Sequence, residues 1–392
     1  MLTAATRLRE IEESATVAIS DLSRRLRAAG VDVIDLSGGD PDFPTPQHIV
    51  AAARDAMDEG FTHYVSSRGI PDLLDAIAHK LKTENGLPLD APGESILVTP
   101  SAKFALAATL LALVNPGDEV IVPTPAWVSY DAMIRLAGGI PVHVPLAPDG
   151  FRLDAADMRR ALTARTRLIL VNSPNNPTGR VLAEPELRAI ADVARDANLL
   201  VISDEIYERI VFDGAVHRSL GTLPGMFERT VTINGFSKTY AMTGWRLGYL
   251  AGPPRIVREV LKVHQHVVTC ASSFAMRAGV AALRGPRQSA DEMVAAYRER
   301  RALAVPLLNA MPGIRCPWPE GTFYLFPGFR FRRPLSSTEF ASLLLERAHV
   351  AVTPGSAFGK AGEGHIRISL TNGRDRLERA LERIRRVLAD VD

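Results

Sequence analysis

The chain has 392 residues, 46% hydrophobic and 23% charged, the balance of a soluble globular enzyme with more than one small core. A formal net charge of +2 supplies no electrostatic footprint for nucleic acid or an anionic membrane. Its two cysteines, Cys270 and Cys316, lie far apart, which argues against a disulfide framework and for a reducing, cytoplasmic setting.

From Met1 to Glu13 arginines mix with acids and no apolar core of a signal peptide is present. The longest apolar run, Phe104 to Val114, is about half the roughly 20 residues that a membrane helix needs. Val17, Leu22 and Leu26 recur at helical spacing, which predicts a helix over 17–29 stopped by Gly30. Between Glu94 and Gly252, short apolar runs alternate with helical stretches. The runs at 96–98, 120–122, 168–171, 199–202, 230–233 and 247–250 are rich in β-branched residues, as in strands buried on both faces of a mostly parallel sheet. Beyond Gly285 the pattern changes to a charged helix over 291–308, short strands near 322–326 and 365–370, and a terminal helix over 374–388. This predicts a large α/β domain over 47–285 and a smaller α+β domain built from 1–46 and 286–392. The N-terminal segment goes to the smaller unit because it has no strand partner in the large sheet.

In parallel sheets, ligands sit beyond the carboxyl ends of the strands. The chemical residues fall there. Asn172-Ser173-Pro174-Asn175-Asn176-Pro177-Thr178-Gly179 follows one strand, Asp204-Glu205-Ile206-Tyr207 the next, and Gly235-Phe236-Ser237-Lys238 another, with Arg246 eight positions after the lysine. A lysine in a small, glycine-flanked segment suits a Schiff-base amine, and pyridoxal phosphate (PLP) is the aldehyde that most often uses one. A helix cap or ion pair would account for Asp204 alone. With Tyr207 and Lys238 nearby, it reads as a carboxylate facing a protonated pyridine nitrogen. Asn176 sits in a proline-rich turn, where it serves turn chemistry, a hydrogen bond to a phenolic oxygen, or both. Thr99-Pro100-Ser101-Ala102-Lys103 leads from a strand into a helix, a phosphate cradle or a plain N-cap at Ser101. Trp127 is a core residue or a ring-stacking one. Gly355-Ser356-Ala357-Phe358-Gly359-Lys360 is one residue short of a phosphate loop, and His264-Gln265-His266 lacks a third ligand, so no metal is expected.

Four of these segments occur in one order: the Asn-Pro-Thr-Gly turn, Asp-Glu-Ile-Tyr, the lysine motif and His365-Ile366-Arg367-Ile368-Ser369. On them the chain resembles the class I/II aminotransferases, PLP enzymes of fold type I, over nearly its full length. It is most like the bacterial aspartate aminotransferase branch, which includes aspartate/prephenate enzymes. The resemblance implies an α/β fold with a mostly parallel seven-stranded sheet covered by helices, plus a smaller α+β domain. It implies that Lys238 forms the Schiff base and moves the proton, that Asp204 pairs with the ring nitrogen, and that Asn176 and Tyr207 bond the ring oxygen. Trp127 would stack on the ring, while Arg246, Ser237 and the backbone of Ser101 and Ala102 hold the phosphate. Arg367 and the backbone of Gly39 would take the substrate α-carboxylate, and Thr16 and Lys103 a distal carboxylate. Tyr64 would reach the phosphate of a partner subunit, making the active unit a homodimer.

The implied reaction is ping-pong transfer of an amino group from an L-amino acid, with aspartate favoured, to a 2-oxo acid such as 2-oxoglutarate. Three departures stand out: Glu12 where many members are basic, Ser101-Ala102 in place of two glycines, and Gly235 in place of a serine. The alternatives are an aminotransferase for aromatic or specialised amino acids, a PLP lyase or synthase, and a non-catalytic sensor. The last is disfavoured because nothing before Val31 is long or basic enough for a DNA-binding module.

Overall fold

The computed structural model describes residues 5–9, 11 and 15–389, with residue 6 and residues 15–20 described by backbone alone. Seven strands form the central sheet in the order Ile96–Thr99, Gly248–Ala251, Thr230–Gly235, Leu200–Asp204, Thr166–Asn172, Glu119–Thr124, Ile140–Pro145. All run parallel except Gly248–Ala251, which is antiparallel to both neighbours. The β-branched runs are strands because both of their faces are covered. Leu168, Leu170, Val231 and Ile233 pack on the helices Ala102–Leu113 and Pro254–Val267. The alternate residues Ile169, Val171 and Val201 point the other way, onto the helix Glu184–Asp196.

Six of the seven strands stand where hydrophobic runs predict them. The seventh, Ile140–Pro145, is not predicted, because Pro141 and Pro145 interrupt its apolar pattern. It is an edge strand with one neighbour and a single buried residue, Val144, the place in a sheet where proline is tolerated.

A second, three-stranded antiparallel sheet joins Tyr324–Leu325, Ile366–Ser369 and Thr353–Pro354. The chain's N-terminal part is tied to this region. Ile34–Asp35 pairs in parallel with Val350–Ala351, and Ser369 N–H donates to the Leu36 carbonyl at 2.8 Å. The terminal helix Arg374–Leu388 matches its predicted range, and the N-terminal helix spans Ala15–Ala28. The long helix Gln288–Asn309 begins before its predicted start and runs through Pro306. Among the described residues no helix is long and apolar enough to cross a membrane.

Candidate active site

A cleft of about 420 Å³ opens at the carboxyl ends of the parallel strands. At its centre lies Lys238, three residues past the Thr230–Gly235 strand, with Nζ–H donating to the Gly39 carbonyl at 2.6 Å. Burial, with Arg367 and Arg246 nearby, draws its amine from the ordinary 10.5 down to about 8 against the opposing pull of Asp40 and Asp204. The depressed value makes the free, nucleophilic amine accessible close to neutral pH.

Asp204 ends the next strand and is 4% exposed. Burial raises its carboxyl to about 6, although the Tyr130 hydroxyl donates to Oδ2 at 2.6 Å and opposes the rise. Such a carboxylate gains from a cation brought against it. One strand further, Asn172 holds two parts of the site. Its Nδ2–H donates to the Asp204 carbonyl at 2.9 Å, and its Oδ1 accepts from Asn176 N–H at 2.8 Å. Asn176 in turn accepts from Arg367 Nη1–H at 3.0 Å. Tyr207 faces the cleft with its hydroxyl 3.2 Å from that of Tyr324. Burial keeps the Tyr207 phenol well above its usual range.

Arg367, 3% exposed, lies on the second sheet. Its Nη2–H donates to the Ser37 carbonyl at 2.6 Å, and its guanidinium lies 4.3 Å from the centre of the Tyr324 ring and 5.0 Å from that of Phe358. Gly355–Phe358 is thus a short 3-10 turn that supplies an aromatic support for Arg367 rather than a phosphate loop.

At the other end of the cleft, Ser101 leads into the helix Ala102–Leu113 and its Oγ accepts from Phe104 N–H at 3.2 Å. The N-cap does not exclude an anion there, since the N–H groups of Ala102 and Lys103 belong to the first helical turn, where no carbonyl within the helix can reach them. Ser101 adopts φ +95°, a left-handed conformation that glycine takes freely and that costs another residue about 1–3 kcal/mol. The departure from two glycines therefore carries backbone strain, partly offset by the cap. Gly248 is required beside it, because a Cβ there would run into the Ala102 nitrogen. Ser237 is buried beside Lys238, and exposed Arg246 donates through Nη1–H to the Thr243 carbonyl at 2.7 Å. Lys103 stands 5.1 Å over the Trp127 ring; burial and then Arg246 lower its amine.

Gly39, Ser101, Ala102, Lys103, Trp127, Asn176, Asp204, Tyr207, Ser237, Lys238, Arg246 and Arg367 all line this one cleft. Tyr64 does not; it is 85% exposed outside the cleft of its own chain. The side chain of Thr16 and all of Glu12 lie outside the described residues. Among the side chains at the cleft that go unread in the sequence are Tyr130, Tyr324 and Arg24. Tyr130 sits one helical turn after Trp127, a spacing that could have signalled it. Arg24, on the N-terminal helix, pairs with Asp21.

Behind the Asp204–Tyr207 turn, Glu205, Glu208 and His217 place ligand atoms within 4.8 Å of one another. The buried Lys80 ammonium donates to Glu208, so the chain itself supplies the cation there. Burial would raise Glu208, but Lys80 and His217 outweigh it and hold the carboxyl down to about 2. His264 is a core residue edge-on to Phe104 at 5.7 Å, and burial lowers its imidazole to about 4.

Comparison with known proteins places this arrangement. The aspartate aminotransferase of Thermus thermophilus, solved with maleate, superposes with a TM-score of 0.93 at 40% identity, covering 99% of this chain and all of that one. The chain is 46% identical to an aspartate aminotransferase of Musicola paradisiaca over all of its own length and 98% of the relative's. It is 43% identical to aromatic-amino-acid aminotransferase 2 of Thermococcus litoralis, over 93% of this chain and 94% of that one. The family model for aminotransferase class I and II matches residues 31–384, and the chain belongs to that family.

Proposed function

We propose that this chain is a PLP-dependent aminotransferase that takes the amino group of L-aspartate and delivers it to a 2-oxo acid such as 2-oxoglutarate. The observation that carries the reading is the meeting of Lys238, Asp204 and Arg367, from three separate segments, in one cleft whose far end is a helix N-terminus. These residues fit the cofactor. A buried amine near 8, a buried carboxylate with no cationic hydrogen-bond partner among the described residues, and free helix N–H groups match its aldehyde, ring nitrogen and phosphate. When bound, PLP supplies an aldehyde that joins a primary amine and a ring that takes up the electron pair left on the substrate Cα.

The chain's own residues do the rest. Lys238 Nζ would hold the aldehyde carbon and would then move the proton from the substrate Cα. Asp204, steadied by Tyr130 and Asn172, holds the ring nitrogen protonated. Arg367 grips the α-carboxylate in a bidentate fork beside the Gly39 backbone, and Asn176 and Tyr207 bond the ring oxygen. Trp127 covers one face of the ring. Ser237, Arg246 and the backbone of Ser101 and Ala102 hold the phosphate.

The choice of aspartate rests on Lys103 in the lining of the cleft and on the dicarboxylate maleate in the Thermus structure. The rival reading, an aromatic donor, has support in the 43% identical Thermococcus relative. Adding L-aspartate alone to the PLP-loaded protein should shift the visible absorption and release oxaloacetate; an unmoved spectrum sends the reading to aromatic donors. Lys103→Gln should lower kcat/KM for aspartate by about tenfold, the size of one lost charge-assisted contact, and spare aromatic donors. An equal loss on both would defeat the assignment.

The same reading makes the active unit a homodimer in which exposed Tyr64 reaches the partner's phosphate site. Sedimentation at the mass of a single chain would remove it. It also retains the division into 47–285 and a smaller unit of 1–46 with 286–392.

A further inference from the structure

Tyr324 is absorbed by none of these roles, yet it touches three of the groups that perform them. Its hydroxyl lies 3.2 Å from that of Tyr207, both side chains being buried. Its ring lies against the Arg367 guanidinium at 4.3 Å. Its backbone pairs with Ser369, on the strand that carries Arg367. The hydroxyl also abuts Gly39, where a Cβ would stand 2.6 Å from the phenolic oxygen, and it is the Gly39 carbonyl that accepts from Lys238.

The direction of the Tyr207–Tyr324 hydrogen bond follows from what each hydroxyl can reach. Among the described residues, Tyr324 Oη has no hydrogen-bond partner besides Tyr207. Tyr207 faces the cleft, and on the reading above its O–H points at the cofactor's ring oxygen. That leaves the Tyr207 oxygen as acceptor and the Tyr324 O–H as donor. Donation into the Tyr207 oxygen strengthens the bond that Tyr207 itself gives, because hydrogen bonds in series polarise one another in a dry site.

We propose that Tyr324 is a positioning residue that tunes the cofactor through Tyr207 with its hydroxyl and steadies the Arg367 fork with its ring. The proposal rests on the PLP reading. The two parts of the side chain separate cleanly, because Tyr324→Phe removes the hydroxyl and keeps the ring, whereas Tyr324→Leu removes both. A donor to the ring oxygen stabilises its negative charge and lowers the pH at which the neighbouring imine nitrogen loses its proton. Weakening that donor raises the midpoint.

The experiment is a spectroscopic pH titration of PLP-loaded wild type, Y324F, Y207F and Y207F/Y324F, with KM for L-aspartate measured on wild type, Y324F and Y324L. Y324F should raise the midpoint of the visible band by about 0.5 unit, the share of one weakened hydrogen bond. In the Y207F background the second substitution should add nothing, because Tyr324 acts through Tyr207. KM should stay within about twofold in Y324F and rise about tenfold in Y324L, where the ring contact is lost. A Y324F midpoint equal to wild type, or shifts that add in the double variant, would overturn the proposal while leaving the PLP reading intact. A wild-type protein that shows no visible band after PLP is supplied would overturn both.

Discussion

Lys238→Ala is expected to lower turnover by about 10⁴-fold while leaving the fold intact. On the proposed role the loss is large because one atom would serve twice, as the amine that holds the aldehyde and as the base that moves the Cα proton. No neighbour can substitute. Arg367 is committed to Asn176 and Ser37, Arg246 to the Thr243 carbonyl, and Lys103 sits over Trp127. The fold should survive because the amine is held by a single hydrogen bond, to the Gly39 carbonyl, and its charge is a burden. Burial holds its folded pKa near 8 against 10.5 for the free group. The unfolded chain therefore binds the proton more tightly between those values, and stability rises with pH across that window. At pH 7 the wild type bears the whole cost of a buried ammonium. The cofactor-free variant should melt no lower than wild type at pH 7, as read by calorimetry. Transamination at more than a few per cent of wild type would refute the assigned role.

Asp204→Asn should lower kcat by about 10²–10³-fold, the cost of removing one partner of a buried charge pair. The amide keeps the shape of the side chain and accepts from Tyr130, but it cannot hold a ring nitrogen protonated. Asp204→Glu keeps the charge and should recover part of the loss. Stability should move the other way. The folded carboxyl titrates near 6 and the unfolded one near 3.8, so the folded state binds the proton more tightly between those values. Stability therefore falls as pH rises through that window, and above it the buried carboxylate costs on the order of 3 kcal/mol. Cofactor-free Asp204→Asn should be the more stable protein at pH 7, with the advantage gone below about pH 4. A variant with wild-type kcat, or one less stable than wild type at pH 7, would show that Asp204 is a structural ion-pair partner instead.

What the sequence makes legible is local. Lys238, Asp204, Tyr207 and Asn176 each follow an apolar run within a few residues, so the strand-end rule collects them without knowledge of packing. Arg367 lies within a short strand and comes only through the family resemblance. Tyr130 and Tyr324 stay hidden because their meaning is a contact. The Tyr130–Asp204 bond spans 74 residues and the Tyr207–Tyr324 bond 117. The Lys80–Glu208 pair, 128 residues apart, is silent in the same way: a lysine on an amphipathic helix reads as a solvated charge until the fold buries it. The missed edge strand is the reverse case, since its prolines are a true local signal that an exposed sheet edge overrides.

The pairing of Ile34–Asp35 with Val350–Ala351 bears on how the protein is made. A ribosome releases Ser37 and Gly39 early, but the Arg367 that donates to Ser37 lies 330 residues further on. The large sheet can close once the Gly248–Ala251 strand has emerged, whereas the contact between Ser37 and Arg367 must wait for more than a hundred further residues. A product interrupted between those points thus retains Lys238 and lacks Arg367, which on the proposed reading grips the amino acid. During synthesis the Gly39 carbonyl waits only for Lys238, whereas the Ser37 carbonyl waits for Thr353 and Arg367, more than a hundred residues later.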